Sequence, residues 1–116
     1  MGREEAAEIL RLLARKYNTQ KPWPEYPKTA DSEIQDLYEE LWEYDLVIAG
    51  MVSRVIEKGK PPFLRYRAPI KPRRRIEAMR LRKPDSSQFL DALSQVCDEI
   101  EDVLNLVERL RDTARG

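Results

Sequence analysis

The chain has 116 residues, with 21 lysines and arginines against 21 aspartates and glutamates, no histidine, one cysteine and four glycines. Without histidine there is no Ser-His-Asp triad, Cys-His pair or imidazole metal ligand. One cysteine closes no internal disulfide and builds no zinc site, and Gly2, Gly50, Gly59 and Gly116 are too scattered to cradle a phosphate.

Charged residues make up 36% of the chain and apolar residues 41%. That combination suits long amphipathic helices in a single domain rather than a disordered chain. The expected class is all-α: an antiparallel hairpin of two long helices, a shorter N-terminal helix completing a three-helix bundle, and a basic Pro-rich crossover.

The first helix is predicted over 3–17. Ala6, Leu10, Leu13 and Tyr17 recur on one face, and Ile9 and Leu12 widen it. Glu4, Glu5 and Glu8 near its start and Arg15 and Lys16 near its end suit the helix dipole. The loop over 18–31 contains Pro22, Pro24 and Pro27, which keep it from being helical. Trp23 and Tyr26 are expected to strap it onto the bundle, the alternative being a proline-rich ligand for an aromatic groove.

A second helix is predicted over 32–58. Ser32 and Gln35 have capping-box spacing, with Asp31 as a competing cap. Ile34, Leu37, Leu41, Tyr44, Ile48, Met51 and Val55 form an a/d seam. Trp42, Leu46, Val47, Ala49 and Ile56 add apolar surface around the middle, which should be covered on more than one side. Gly50 costs helix stability, and a close neighbouring backbone would explain it. Asp45 falls among apolar neighbours and needs a partner, with Arg67, Arg75 or a tyrosine hydroxyl as candidates. Lys58-Gly59 followed by Pro61 and Pro62 ends the helix.

A crossover over 59–84 follows. Between Lys58 and Lys83 lie eleven basic residues and one acid, Glu77, a net charge of +10 in 26 residues. The other ninety residues hold ten basic against twenty acidic side chains. The neutral total is thus two large opposite charges. Leu64, Tyr66, Ala68 and Ile70 alternate with Arg65, Arg67 and Pro69, which predicts an extended stretch. A short helix is expected over 73–82, with Ile76 and Met79 facing inward.

The third long helix is predicted over 86–113, capped by Asp85 or Ser86. Phe89, Leu93, Val96, Ile100, Val103, Val107 and Leu110 form its seam, widened by Leu90, Cys97 and Leu104. Stripes this broad on three helices leave a homodimer open as a way to bury the excess.

Seven of the eleven basic residues are arginine, whose planar fork matches phosphate or carboxylate. The candidate polyanion-binding set is Lys60, Arg65, Arg67, Lys71, Arg73, Arg74, Arg75, Arg80, Arg82 and Lys83, with Phe63 and Tyr66 as stacking faces. Two other outlets for this charge compete. One is the bundle's own acids, with Glu39, Glu40, Glu43, Asp98, Glu99, Glu101 and Asp102 as candidates. The other is an acidic protein partner.

The pairs Glu40/Glu43 and Asp98/Glu101 have the spacing of Mg²⁺-holding motifs. They lie off the seams, however, and should face solvent, so no metal or other cofactor is expected. An acidic N-terminus, a longest apolar run of only Leu46–Val52 and an unpaired Cys97 give the expectation of a cytoplasmic protein with no membrane span. The function expected is non-enzymatic binding or assembly on a polyanion, nucleic acid first. The alternative is a protein–protein adaptor or complex subunit, dimeric or docked through its helices.

Overall fold

A computed structural model describes residues 2–18, 24, 25 and 31–115. Apart from Pro24 and Glu25, the first Pro-rich loop lies outside them, and with it the strap expected of Trp23 and Tyr26. Four α-helices are present: α1 (Gly2–Asn18), α2 (Ser32–Lys58), α3 (Ile70–Arg82) and α4 (Ser87–Arg115). No strand occurs among the described residues, so the class is all-α, as the 3.6-residue periodicity predicts.

Local chemistry sets the ends. Asp31, rather than Ser32, caps α2: its backbone is extended, and its carboxylate accepts the Ile34 N–H at 3.0 Å. The Gln35 amide donates to Glu39 at 3.4 Å instead of closing a capping box. At the far end Gly59 takes the left-handed conformation, φ 69°, and its N–H donates to the Val55 carbonyl at 2.8 Å. α3 begins at Ile70, three residues ahead of the expected start, with Pro72 in its first turn. A proline is tolerated there because the missing N–H would have had no helical partner. A 3₁₀ turn over Pro84–Ser86 winds the chain into α4.

The expected antiparallel hairpin of long helices is replaced by a parallel pair. Tyr38 of α2 stacks on Phe89 of α4, with ring centroids 5.8 Å apart. Further along, Asp45, Ile48 and Val52 share a cavity with Glu99, Ile100 and Val103. Both contacts advance in the same direction along the two helices. The reversal comes from α3, which returns the chain and runs antiparallel to both: Arg82 meets Glu33 and Arg75 meets Glu40 on α2, while Arg73 meets Asp98 and Arg80 meets Asp91 on α4. A crossover containing a thirteen-residue helix can carry the chain back, so helices joined through it can run parallel.

α1 runs antiparallel to α4, with Gly2 beside Thr113 and Lys16 3.7 Å from Asp102. It therefore covers the C-terminal half of the α2–α4 pair, and α3 covers the N-terminal half. Among the described residues α1 and α3 do not pack on each other. The result is long and narrow, 50 × 22 × 18 Å.

The core follows the seams with two adjustments. Leu37, Leu41, Leu90 and Leu93 are fully buried, with Ile9 and Leu13 from α1 and Ile76 and Met79 from α3. Each such side chain contributes about 1.5–3 kcal/mol by its burial. On α4 the widening residues Leu90, Cys97 and Leu104 are buried, whereas the seam residues Phe89, Val96 and Val103 are only half-buried. Helix α3 and the extended stretch before it lie against that side.

On α2 the cover expected on more than one side of the middle is missing from its outer face. Trp42, Leu46 and Val47 are exposed, and a Cβ built on Gly50 would meet nothing within 4 Å. Among the described residues no close backbone accounts for that glycine.

Candidate functional site

The basic crossover turns most of its charge inward. Its two rows of arginines repeat every seven residues: Arg73 and Arg80 face α4, and Arg75 and Arg82 face α2. The acids they meet repeat at the same interval, Asp98 and Asp91 on α4 and Glu40 and Glu33 on α2. Antiparallel helices bring two such rows into register at every pair.

Arg73 is the centre of the α4 side, its two terminal nitrogens 2.7 Å from Asp98 and 2.7 Å from Glu101. Arg80 lies 2.7 Å from Asp91 and Arg82 2.7 Å from Glu33, and Arg75 pairs with Glu40. Lys83 reaches Asp31 and lies 3.4 Å from Glu33, tying the end of α3 to the cap of α2. These contacts hold the Asp31 carboxyl, through Lys83, and the Glu33 carboxyl, through Arg82, below their usual range. They likewise raise Arg73 beside Asp98 and Lys83 beside Asp31.

The extended part of the crossover is held by a residue outside the predicted set. Arg111 of α4 is buried at 8% exposure and donates to the carbonyls of Pro62 at 2.7 Å and Leu64 at 3.2 Å. A signal for it exists in the sequence: Leu90, Cys97 and Leu104 step by seven, and the next step is Arg111. A guanidinium at the end of an apolar row needs carbonyls or carboxylates, and the crossover supplies carbonyls.

Of the ten predicted anion-binding residues, Arg65, Arg73, Arg75, Arg80, Arg82 and Lys83 therefore pair with the chain's own acids, Arg65 most loosely at 3.6 Å from Glu108. Lys60, Arg67, Lys71 and Arg74 have no ion pair among the described residues, nor has Lys58.

Four of these five cations fall in two places, and the fifth, Arg67, is exposed on the extended stretch. Lys58 and Lys60 border a groove of about 360 Å³ with Arg54, Phe63, Leu64 and Tyr66. Lys71 and Arg74 lie on the exposed side of α3 next to Ile70. The two expected stacking faces are not equivalent: Phe63 is 99% exposed, while Tyr66 packs against the core. In the supposed metal motifs Arg75 occupies Glu40 and Arg73 occupies Asp98 and Glu101, while Glu43 has no ion pair among the described residues.

Asp45 is buried on α2, beside a cavity of about 130 Å³ lined also by Lys16 and Tyr17. Arg75, one of its expected partners, is taken by Glu40. The neighbouring Tyr44 hydroxyl is buried with no hydrogen-bond partner among the described residues, and burial raises its pKa. Cys97 lies in the core, its thiol pushed up to about 11 by burial. It is held as the neutral thiol and is no nucleophile at neutral pH.

The other departure from an ordinary surface is the outer side of α2. Leu46 and Val47 are 56% and 55% exposed, flanking the exposed Gly50. Among the described residues no helix is long and apolar enough to cross a membrane. No protein-family model matches the chain, and neither a curated protein nor a solved structure matches it.

Proposed function

We propose that the chain is a non-enzymatic protein–protein interaction module, its basic crossover chiefly structural and its docking surface the outer side of α2 with the adjoining cation-lined groove. The supporting observation is the direction of the guanidiniums. Arg73, Arg75, Arg80 and Arg82 point at carboxylates of α2 and α4, so a polyanion would have to displace those pairs to reach them. What projects instead is apolar: Leu46, Val47, Phe63 and Leu64 are each more than half exposed. Exposed apolar groups gathered beside a charged rim mark sites of protein association.

The second reading, nucleic-acid binding, rests on Lys58, Lys60, Arg67, Lys71 and Arg74, which have no ion pair among the described residues. Five cations support weak, salt-sensitive binding, about 10⁻⁴ M at physiological salt. Fluorescence anisotropy with labelled single- and double-stranded oligonucleotides, titrated over salt, separates the readings. The module reading expects binding no tighter than that, and none of it specific to strand or sequence. Submicromolar binding at physiological salt, lost when Lys60, Arg67, Lys71 and Arg74 are changed to Ala, would overturn it.

A further inference from the structure

We infer that one partner is a second copy of this chain, docked antiparallel along the outer face of α2 about a two-fold axis passing between Ile48 and Ala49. This rests on the interaction-module reading and specifies its surface.

Along the outer face of α2, Glu39 and Glu43 lie in the N-terminal half and Arg54 and Lys58, with Glu57 between them, in the C-terminal half. Glu39 and Glu43 come first, the exposed Leu46, Val47 and Gly50 follow, and Arg54 and Lys58 come last. Glu43, Arg54 and Lys58 have no ion pair among the described residues.

The spacing is self-complementary. Glu43 lies as far before the midpoint of Ile48 and Ala49 as Arg54 lies after it. The same holds for Glu39 with Lys58, and for Val47 with Gly50. One two-fold axis therefore brings all three pairs opposite each other at once, each pair formed twice, and sets Glu57 opposite the Glu40 that Arg75 already neutralises. A parallel arrangement would set acids against acids. This is the device that docks α3 along the neighbouring edge of α2, where Arg75 and Arg82 meet Glu40 and Glu33 in antiparallel register.

Gly50 supports the same axis. It weakens the helix, and nothing among the described residues lies within 4 Å of a Cβ built there to compensate. A missing side chain at the crossing point lets two helices approach to the close end of the usual 8–10 Å range, with Val47 of each copy filling the space over Gly50 of the other. The contact is isologous, as a two-fold requires. It covers residues 39–58, about 30 Å of helix, which is small for a specific interface. The dimer is accordingly reversible and weakened by salt.

Sedimentation equilibrium of the full chain over concentration and salt tests this, with charge exchange at one pair. The wild type is expected to show a monomer–dimer equilibrium. E43R alone and R54E alone each put like charges opposite one another twice, raising the dissociation constant about tenfold or more. The double variant E43R/R54E regains the dimer. An equimolar mixture of the two single variants forms a heterodimer that neither forms alone.

Both positions are exposed, and far-ultraviolet circular dichroism checks that each variant folds. A wild type that stays monomeric at the highest concentration overturns the inference, as does a dimer indifferent to both single exchanges. A monomer that also binds no oligonucleotide tightly leaves the module reading standing, whereas tight oligonucleotide binding sinks that reading itself.

Discussion

Arg111 offers the sharpest test of how the crossover is held. Its guanidinium is buried at 8% exposure, donates to the Pro62 and Leu64 carbonyls at 2.7 and 3.2 Å, and lies 3.6 Å from Glu108. R111M keeps an unbranched apolar stem and removes every donor. Hydrogen bonds from a charged donor contribute about 1.5–3 kcal/mol each. Two effects reduce that here: the carbonyls of Pro62 and Leu64 belong to residues not fully buried, so water re-solvates them, and the variant no longer buries a charge.

The net loss expected is about 2 kcal/mol. With an unfolding entropy of roughly 0.24 kcal/mol/K for a chain of this length, Tm falls by about 8 °C. Thermal melting followed by circular dichroism measures this, and limited trypsin digestion adds a local readout. Cleavage at Lys60, Arg65 and Arg67 accelerates in R111M, because the extended stretch loses its anchor before the bundle melts. R111K, with a point charge and no fork, falls between the two. An R111M protein that melts with the wild type and shows the same tryptic pattern would refute the anchoring role.

Other consequences can be checked on the same protein. R73A removes the contacts to Asp98 and Glu101. Because the arginine is one-third exposed, the loss should be only about 1 kcal/mol by denaturant unfolding, and neutralising Asp98 in that background should add almost nothing. Lys83 and Arg82 hold Asp31 and Glu33 below their ordinary 3.8 and 4.5. The stability these carboxylates contribute is complete above those values and drains as pH falls through and below them. In a urea–pH series D31N and E33Q should therefore flatten the acid limb. With its thiol buried and pushed up to about 11, Cys97 should resist iodoacetamide in the native state and react on unfolding, as read by mass spectrometry. A Cβ on Gly50 meets nothing among the described residues, so G50A measured in the E43R background gains about 1 kcal/mol, and a loss there would place a further neighbour beside α2.

Much of the fold is legible without coordinates. The seams of α2 and α4, the inward Ile76 and Met79 and the Gly59 stop all follow from periodicity and from what glycine and proline permit. Helix direction does not, because an amphipathic stripe is the same read up or down. The antiparallel hairpin is the simple expectation only while the crossover is taken as mostly extended. Placing α3 from Ile70, with Pro72 in its first turn, is what lets α2 and α4 run parallel. The burial of Leu90, Cys97 and Leu104 ahead of Phe89, Val96 and Val103 follows from the same helix, since α3 decides which side of α4 is covered. The site was half legible. The charge of the crossover was plain in the sequence, but its destination depended on a seven-residue spacing shared by Arg73/Arg80, Arg75/Arg82, Glu33/Glu40 and Asp91/Asp98, which shows only when the helices are set side by side.

That shared spacing explains why so many weak pairs occur on one short helix. α3 buries only Pro72, Ile76 and Met79, too few apolar contacts to prevent a slip of one turn along its neighbours. Single surface ion pairs contribute at most about 1 kcal/mol, and they are poor sources of stability. A slip of one turn, however, breaks the pairs on both edges together, so their sum acts against the wrong register and hardly at all against unfolding to a solvated chain. Charge here serves specificity, while the seams supply stability. The same reasoning separates the two sides of α2. On the edge that faces α3, Glu33 and Glu40 have found their arginines. On the outer side Glu43, Arg54 and Lys58 keep a register that no other described part of the chain completes, and a second α2 turned end for end completes it without any new kind of contact.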